Sequence, residues 1–107
     1  MTIAASGPWR GNSGPVTITS ASVVRQLAAL VNSLPVATVG KIPCGMGAGF
    51  TLTFSAPDGR PVAVANGPAE CGVVHLTLNG KDEPDLQPPD SYGATVLKIA
   101  HLHWQLG

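Results

Sequence analysis

From Ala21 to Leu34 the apolar positions Val23, Val24, Leu27, Ala28, Leu30, Val31 and Leu34 recur at three- and four-residue spacing, with Ser22, Arg25, Gln26 and Asn32 between them. That is the period of an amphipathic helix. Thr19 or Ser20 can cap its start by accepting a backbone N–H, and Pro35 stops it by removing a donor and pushing Leu34 out of helical dihedrals. Phe50-Thr51-Leu52-Thr53-Phe54-Ser55 instead alternates strictly, which predicts a half-buried strand with hydroxyls on its outer face. Pro57, Asp58, Gly59 and Arg60 then supply the residue types of a tight, exposed turn, and Val62–Ala65 is the expected return strand. Val73–Leu78 reads as a third strand with Val74, Leu76 and Leu78 on one face and His75 and Thr77 on the other. Val16–Thr19 reads as a short strand ahead of the helix.

Asn79-Gly80 is a strong turn signal, followed by a polar, proline-bearing stretch over 81–89 that reads as a solvated loop. Asp90 is placed to cap a closing helix over Ser91–Leu106, with Tyr92, Val96, Ile99, Leu102, His103 and Leu106 near one stripe. Residues 1–15 hold three Gly and two Pro without an apolar period, so they read as a flexible lead-in whose Trp9 can dock on the domain. The predicted order is β-α-β-β-β-α within one α+β domain over 16–107, a small antiparallel sheet with two helices packed on one face.

Composition narrows the function classes. The chain has 107 residues, the size of one domain with one core. Charged residues make up 11% and six basic residues balance six acidic ones, so no broad positive field exists to draw nucleic acid. The longest apolar runs, Leu27–Val31 and Val62–Ala65, fall far short of the roughly 20 residues that span a bilayer. The start lacks the basic and apolar regions of a signal peptide but is rich in Ala, Ser, Gly and Pro. It reads as the mature end left after removal of a leader, with Met1 added for expression. If Met1 is the natural start, the protein is cytoplasmic.

Cys44 and Cys71 lie 27 residues apart in sequence, one before the first strand of the meander and one before the third. An extracytoplasmic protein would bond them; in the cytoplasm they would be thiols. A redox pair more often shows Cys-x-x-Cys, and a zinc site needs more ligands. His101 and His103 would share an ion only on a strand, since two residues turn a helix by about 200°; no metal is expected. Gly45, Gly47 and Gly49 lack the lysine and following helix of a phosphate cradle. Neither a cofactor signature nor a nucleophile elbow is present, and Asp82, Glu83 and Asp85 read as loop acids.

The words Val16–Thr19, Val23–Leu27 through Asn32-Ser33-Leu34-Pro35, Cys44, Phe50–Phe54 and Cys71–Val74 together resemble a family of uncharacterised actinobacterial secreted proteins and lipoproteins. In that family a helix ending in Leu-Pro is followed by a cysteine, a Leu-Thr-Phe strand and a second cysteine. The resemblance covers residues 16–78 and implies export and a Cys44–Cys71 disulfide, with no catalytic residue or ligand to carry over.

The leading expectation is a non-catalytic extracytoplasmic module that binds a protein or cell-envelope partner. A secreted protease inhibitor is the second, with Ala56–Pro61 or Pro68–Gly72 as its exposed loop, because a rigid loop loses little entropy on binding. The third is a small hydrolase or lyase using His75 with a nearby hydroxyl. An apolar concavity around His75 would support it, and a flat sheet face there would count against it.

Overall fold

The computed structural model describes residues 1–6, 9–10, 14–37, 49–68, 72–89 and 91–106. Along the chain run β1 (Thr2–Ser6), β2 (Trp9–Arg10), β3 (Val16–Thr17), α1 (Ala21–Asn32), β4 (Gly49–Ser55) and β5 (Pro61–Pro68), then β6 (His75–Leu78), β7 (Lys81–Asp82), α2 (Tyr92–Ile99) and β8 (Gln105–Leu106). Among the described residues six strands form one antiparallel sheet in the order β3-β1-β4-β5-β6-β7, while β2 and β8 pair separately. The architecture is the small α+β fold that the hydrophobic pattern predicts.

The helix α1 follows its stripe. Ser20 Oγ accepts the Val23 N–H at 3.3 Å, and Leu27 and Val31 are buried. Regular helix ends at Asn32, two residues before the predicted Leu34, because the Ser33 hydroxyl donates back to the Leu30 carbonyl at 2.6 Å and Leu34 tightens onto the Val31 carbonyl at 3.1 Å. Leu34 still packs into the core with Phe50 and Leu52. In β4 the alternation holds: Phe50 and Leu52 are buried, and Phe54 packs at the core's margin.

The sheet begins earlier than the sequence indicates. Thr2–Ser6 pairs along one edge of β4, from Thr2 opposite Thr53 to Ser6 opposite Gly49, and Ile3, opposite Leu52, is fully buried. A flexible lead-in therefore does not describe this stretch. Its strand character comes from the β4 edge it satisfies, a non-local pairing that no periodicity within TIAAS announces. Trp9 docks as expected: its indole N–H donates to the Gly49 carbonyl at 2.8 Å, and its ring stacks on Phe50 at 5.6 Å.

The turn Ala56–Arg60 closes the β4–β5 hairpin, with Gly59 at φ +86°. Asn79 and Gly80 have φ of +51° and +80°, the pair of positive values that a two-residue type I′ hairpin demands. The predicted third strand is shorter than Val73–Leu78: Val74 instead exchanges two 2.9 Å bonds with Leu86. The stretch expected to be a free loop is thus partly structured, first as β7 and then as a strap in which Leu86 bridges both Val74 and Val36.

The closing helix is half the predicted length. At its end the Leu102 N–H reaches the Leu97 carbonyl at 2.9 Å and the His101 N–H reaches that of Lys98 at 3.2 Å, with His101 at φ +57°. These paired bonds around a left-handed residue form a Schellman stop. The motif usually holds glycine at that position, so a histidine there gave no warning. Beyond it the chain turns inward, Trp104 enters the core, and β8 pairs with β2. Among the described residues no helix is long and apolar enough to cross a membrane.

Candidate functional site

Leu27, Val31, Tyr92 and Val96 of the two helices pack with Ile3, Phe50, Leu52 and Ala65 on one face of the sheet, and among the described residues no helix or strand covers the other face. Strand register places Thr17, Thr2, Thr53, Val64, Thr77 and Asp82 in one row across all six strands of that open face. A second row beside it runs Ala4, Thr51, Asn66 and His75, with the Thr51 hydroxyl donating to Asn66 Oδ1 at 3.1 Å. Alternation along β4 dictates this split, since the residues that bury Phe50 and Leu52 must turn Thr51 and Thr53 outward. All five aromatic side chains, Trp9, Phe50, Phe54, Tyr92 and Trp104, pack with the core. The open face is therefore built from β-branched and short polar groups. Val62, Val64 and Thr77 form a shallow depression of about 650 Å³ there, with Arg60 and the Asn79-Gly80 turn at its rim.

Asp82 and Asp85 converge on His75 at one side of this face. The His75 Nδ1 lies 3.0 Å from Asp85 Oδ1 and the Nε2 lies 3.2 Å from Asp82 Oδ1. Only the imidazolium can donate to both carboxylates at once. The hydrogen bond to Asp85, then that to Asp82, raises the pKa of His75 above its ordinary value of 6.5. The sequence pattern predicts these acids as solvated loop acids and His75 beside a hydroxyl, whereas the structure sets both aspartates against the ring. A signal was present: the two-residue turn fixes Leu78 opposite Lys81 and Thr77 opposite Asp82, which sets His75 diagonally beside Asp82 on the same face.

In its imidazolium form, donating from both nitrogens, the ring has no lone pair with which to act as a base. The depression is lined through Thr77, and His75 is not among its lining residues. Tyr92, whose hydroxyl is pushed up to about 12 by burial, holds its proton throughout the neutral range. Pro57, Asp58, Gly59 and Arg60 are exposed as expected, but they are drawn into a closed turn. Ala56 N–H meets the Arg60 carbonyl at 2.8 Å, Gly59 N–H the Ala56 carbonyl at 2.8 Å, and Asp58 Oδ1 accepts the Arg60 N–H at 3.0 Å. Such a turn does not offer the extended segment on which strand-like recognition depends.

Cys44 and Cys71, and the Pro68–Gly72 loop over residues 69–71, lie outside the described residues. The helical spacing that would separate His101 from His103 does not apply, because α2 ends at Ile99; both side chains are exposed. Among the described residues no group of three or more His, Cys, Asp or Glu side chains is arranged to hold a metal ion. Fold and surface together define a small α+β domain with a one-sided sheet. No known protein family, curated protein or solved structure matches the chain.

Proposed function

We propose that this domain is a non-catalytic binding module of an extracytoplasmic protein, and that it engages a protein partner through the open face of its sheet. The row from Thr17 to Asp82, which includes the half-buried Val64 and has the half-buried Val62 beside it, and which no described helix or strand covers, is the observation that carries the reading. Six strands at about 4.8 Å spacing and central strands of about 20 Å give a face of roughly 500 Å². Doubled over two partners, that is near the lower end of specific interfaces and suits a transient contact. All five aromatic rings pack with the core, so stacking on sugars favours this face less than packing against a protein does. The lack of a basic excess argues against nucleic acid.

Export and a Cys44–Cys71 disulfide belong to the same proposal. They rest on the low charge, the cysteine pair and the resemblance to secreted proteins. The test places a photocrosslinking amino acid at Val64 or Thr53 on the open face, and at the exposed Ala29 of α1 as a control, in the producing cell. The expected result is a protein adduct from the two sheet positions that Thr77→Arg abolishes, with none from Ala29. Adducts that ignore Thr77→Arg, or that form equally at Ala29, would overturn the assignment.

A further inference from the structure

The strap Asp82–Leu86 runs along the outer side of β6 and ties three parts of the molecule together. Glu83 N–H donates to the Leu76 carbonyl at 2.9 Å, Leu86 exchanges bonds with Val74, and Ala37 N–H donates to the Asp85 carbonyl at 2.9 Å. Gln87 N–H adds a 2.8 Å bond to the Pro35 carbonyl, so the exit of α1 is held to the sheet by this segment. Asp85 thus acts twice, with its carbonyl on Ala37 and its carboxylate on His75. We propose that this strap is gated by protonation: the imidazolium of His75, clamped between Asp82 and Asp85, holds it against β6, and loss of the ring proton loosens it.

The geometry supplies the reason. A neutral imidazole has one N–H, so one of the two ring nitrogens would turn a lone pair toward a carboxylate. One clamp contact must then break. Of the charged residues on β7 and the strap, Lys81, Asp82, Glu83 and Asp85, only the two aspartates meet the ring, and β5, on the other side of β6, has no ionisable side chain. Because the folded protein raises the pKa of His75, the clamp is fully present below the ordinary value of 6.5 and is lost as pH rises through the raised one. Exposure of His75 and Asp82, at 48% and 80% of their side chains, makes the effect local and sensitive to salt.

Amide hydrogen exchange on the full chain, followed by NMR between about pH 5 and 8, tests the gate. After correction for intrinsic exchange, protection at Glu83, Leu86 and Ala37 should fall about threefold relative to Leu52 as His75 titrates. His75→Gln, at an exposed position that tolerates the change, should abolish that pH dependence. Asp85→Asn should lower the titration midpoint of His75 read from its ring protons. The proposal fails if His75 titrates at or below 6.5, or if the strap amides keep a constant ratio to Leu52 across the range. It fails equally if His75→Gln leaves the profile unchanged.

Discussion

Replacing Ile3 with alanine tests whether the first strand belongs to the core. Ile3 is fully buried and stands in register between Leu52 of β4 and Val16 of β3. The substitution removes three carbons, worth about 2.4 kcal/mol at roughly 0.8 kcal/mol each. A residual cavity would raise the loss into the usual range of about 2–5 kcal/mol for such truncations. Against a domain stability on the order of 5–15 kcal/mol, that is a large fraction, and it should lower Tm by about 10–20 °C. Urea denaturation of the wild-type protein and Ile3→Ala, at matched m-values, measures the difference directly. Thr17→Ala, exposed on β3, should change stability by no more than about 0.5 kcal/mol and serves as the reference. An Ile3→Ala loss below about 0.5 kcal/mol would mean that β1 is only loosely attached and that its burial contributes nothing to the folded state.

Gly67→Ala should destabilise by about 1–3 kcal/mol, because a Cβ there would lie 2.9 Å from Val74 Cγ2 and 3.0 Å from Val74 Cα; unchanged unfolding in urea would show that Val74 can shift aside. His101→Gly should stabilise by about 0.5–1 kcal/mol through relief of the left-handed conformation at the α2 stop, and a fall in Tm would contradict the Schellman assignment. Protein made under oxidising conditions should show no reactive thiol when unfolded, and reduction should lower stability by about 2–4 kcal/mol as the loop between Cys44 and Cys71 regains its freedom. Two labelled thiols in the oxidised, unfolded chain would defeat the disulfide and weaken the case for export.

What the sequence revealed and what it concealed divide by the range of the interactions. The stripe of α1, the alternation of β4 and the turns at Ala56–Arg60 and Asn79-Gly80 are set by neighbours a few residues away, so period and turn chemistry disclose them. The strand at Thr2–Ser6 and the pairing of β2 with β8 depend on partners far along the chain, and short words such as TIAAS or WR carry no trace of those partners. The early stop of α2 was hidden for another reason: the usual glycine signal is replaced by His101. On the open face, His75 and Thr77 were expected to point away from Val74 and Leu76, and the register agrees. The two aspartates that join His75 were legible only by following the hairpin register one residue pair further, past the point where prolines suggested a loop.

The meeting of Trp9 with Trp104 gives the domain a built-in optical reporter. The two rings, the only tryptophans in the chain, lie 5.9 Å apart at 53°, close enough for their electronic transitions to couple into a split pair of bands in circular dichroism. Because one ring precedes β3 and the other follows α2, that signal measures closure of the chain upon itself rather than helix or strand content. Detachment of β8 would erase the coupling while the amide spectrum of the main sheet persisted. Global unfolding would remove both together, so a single spectrum taken through a melt separates partial opening from loss of the fold.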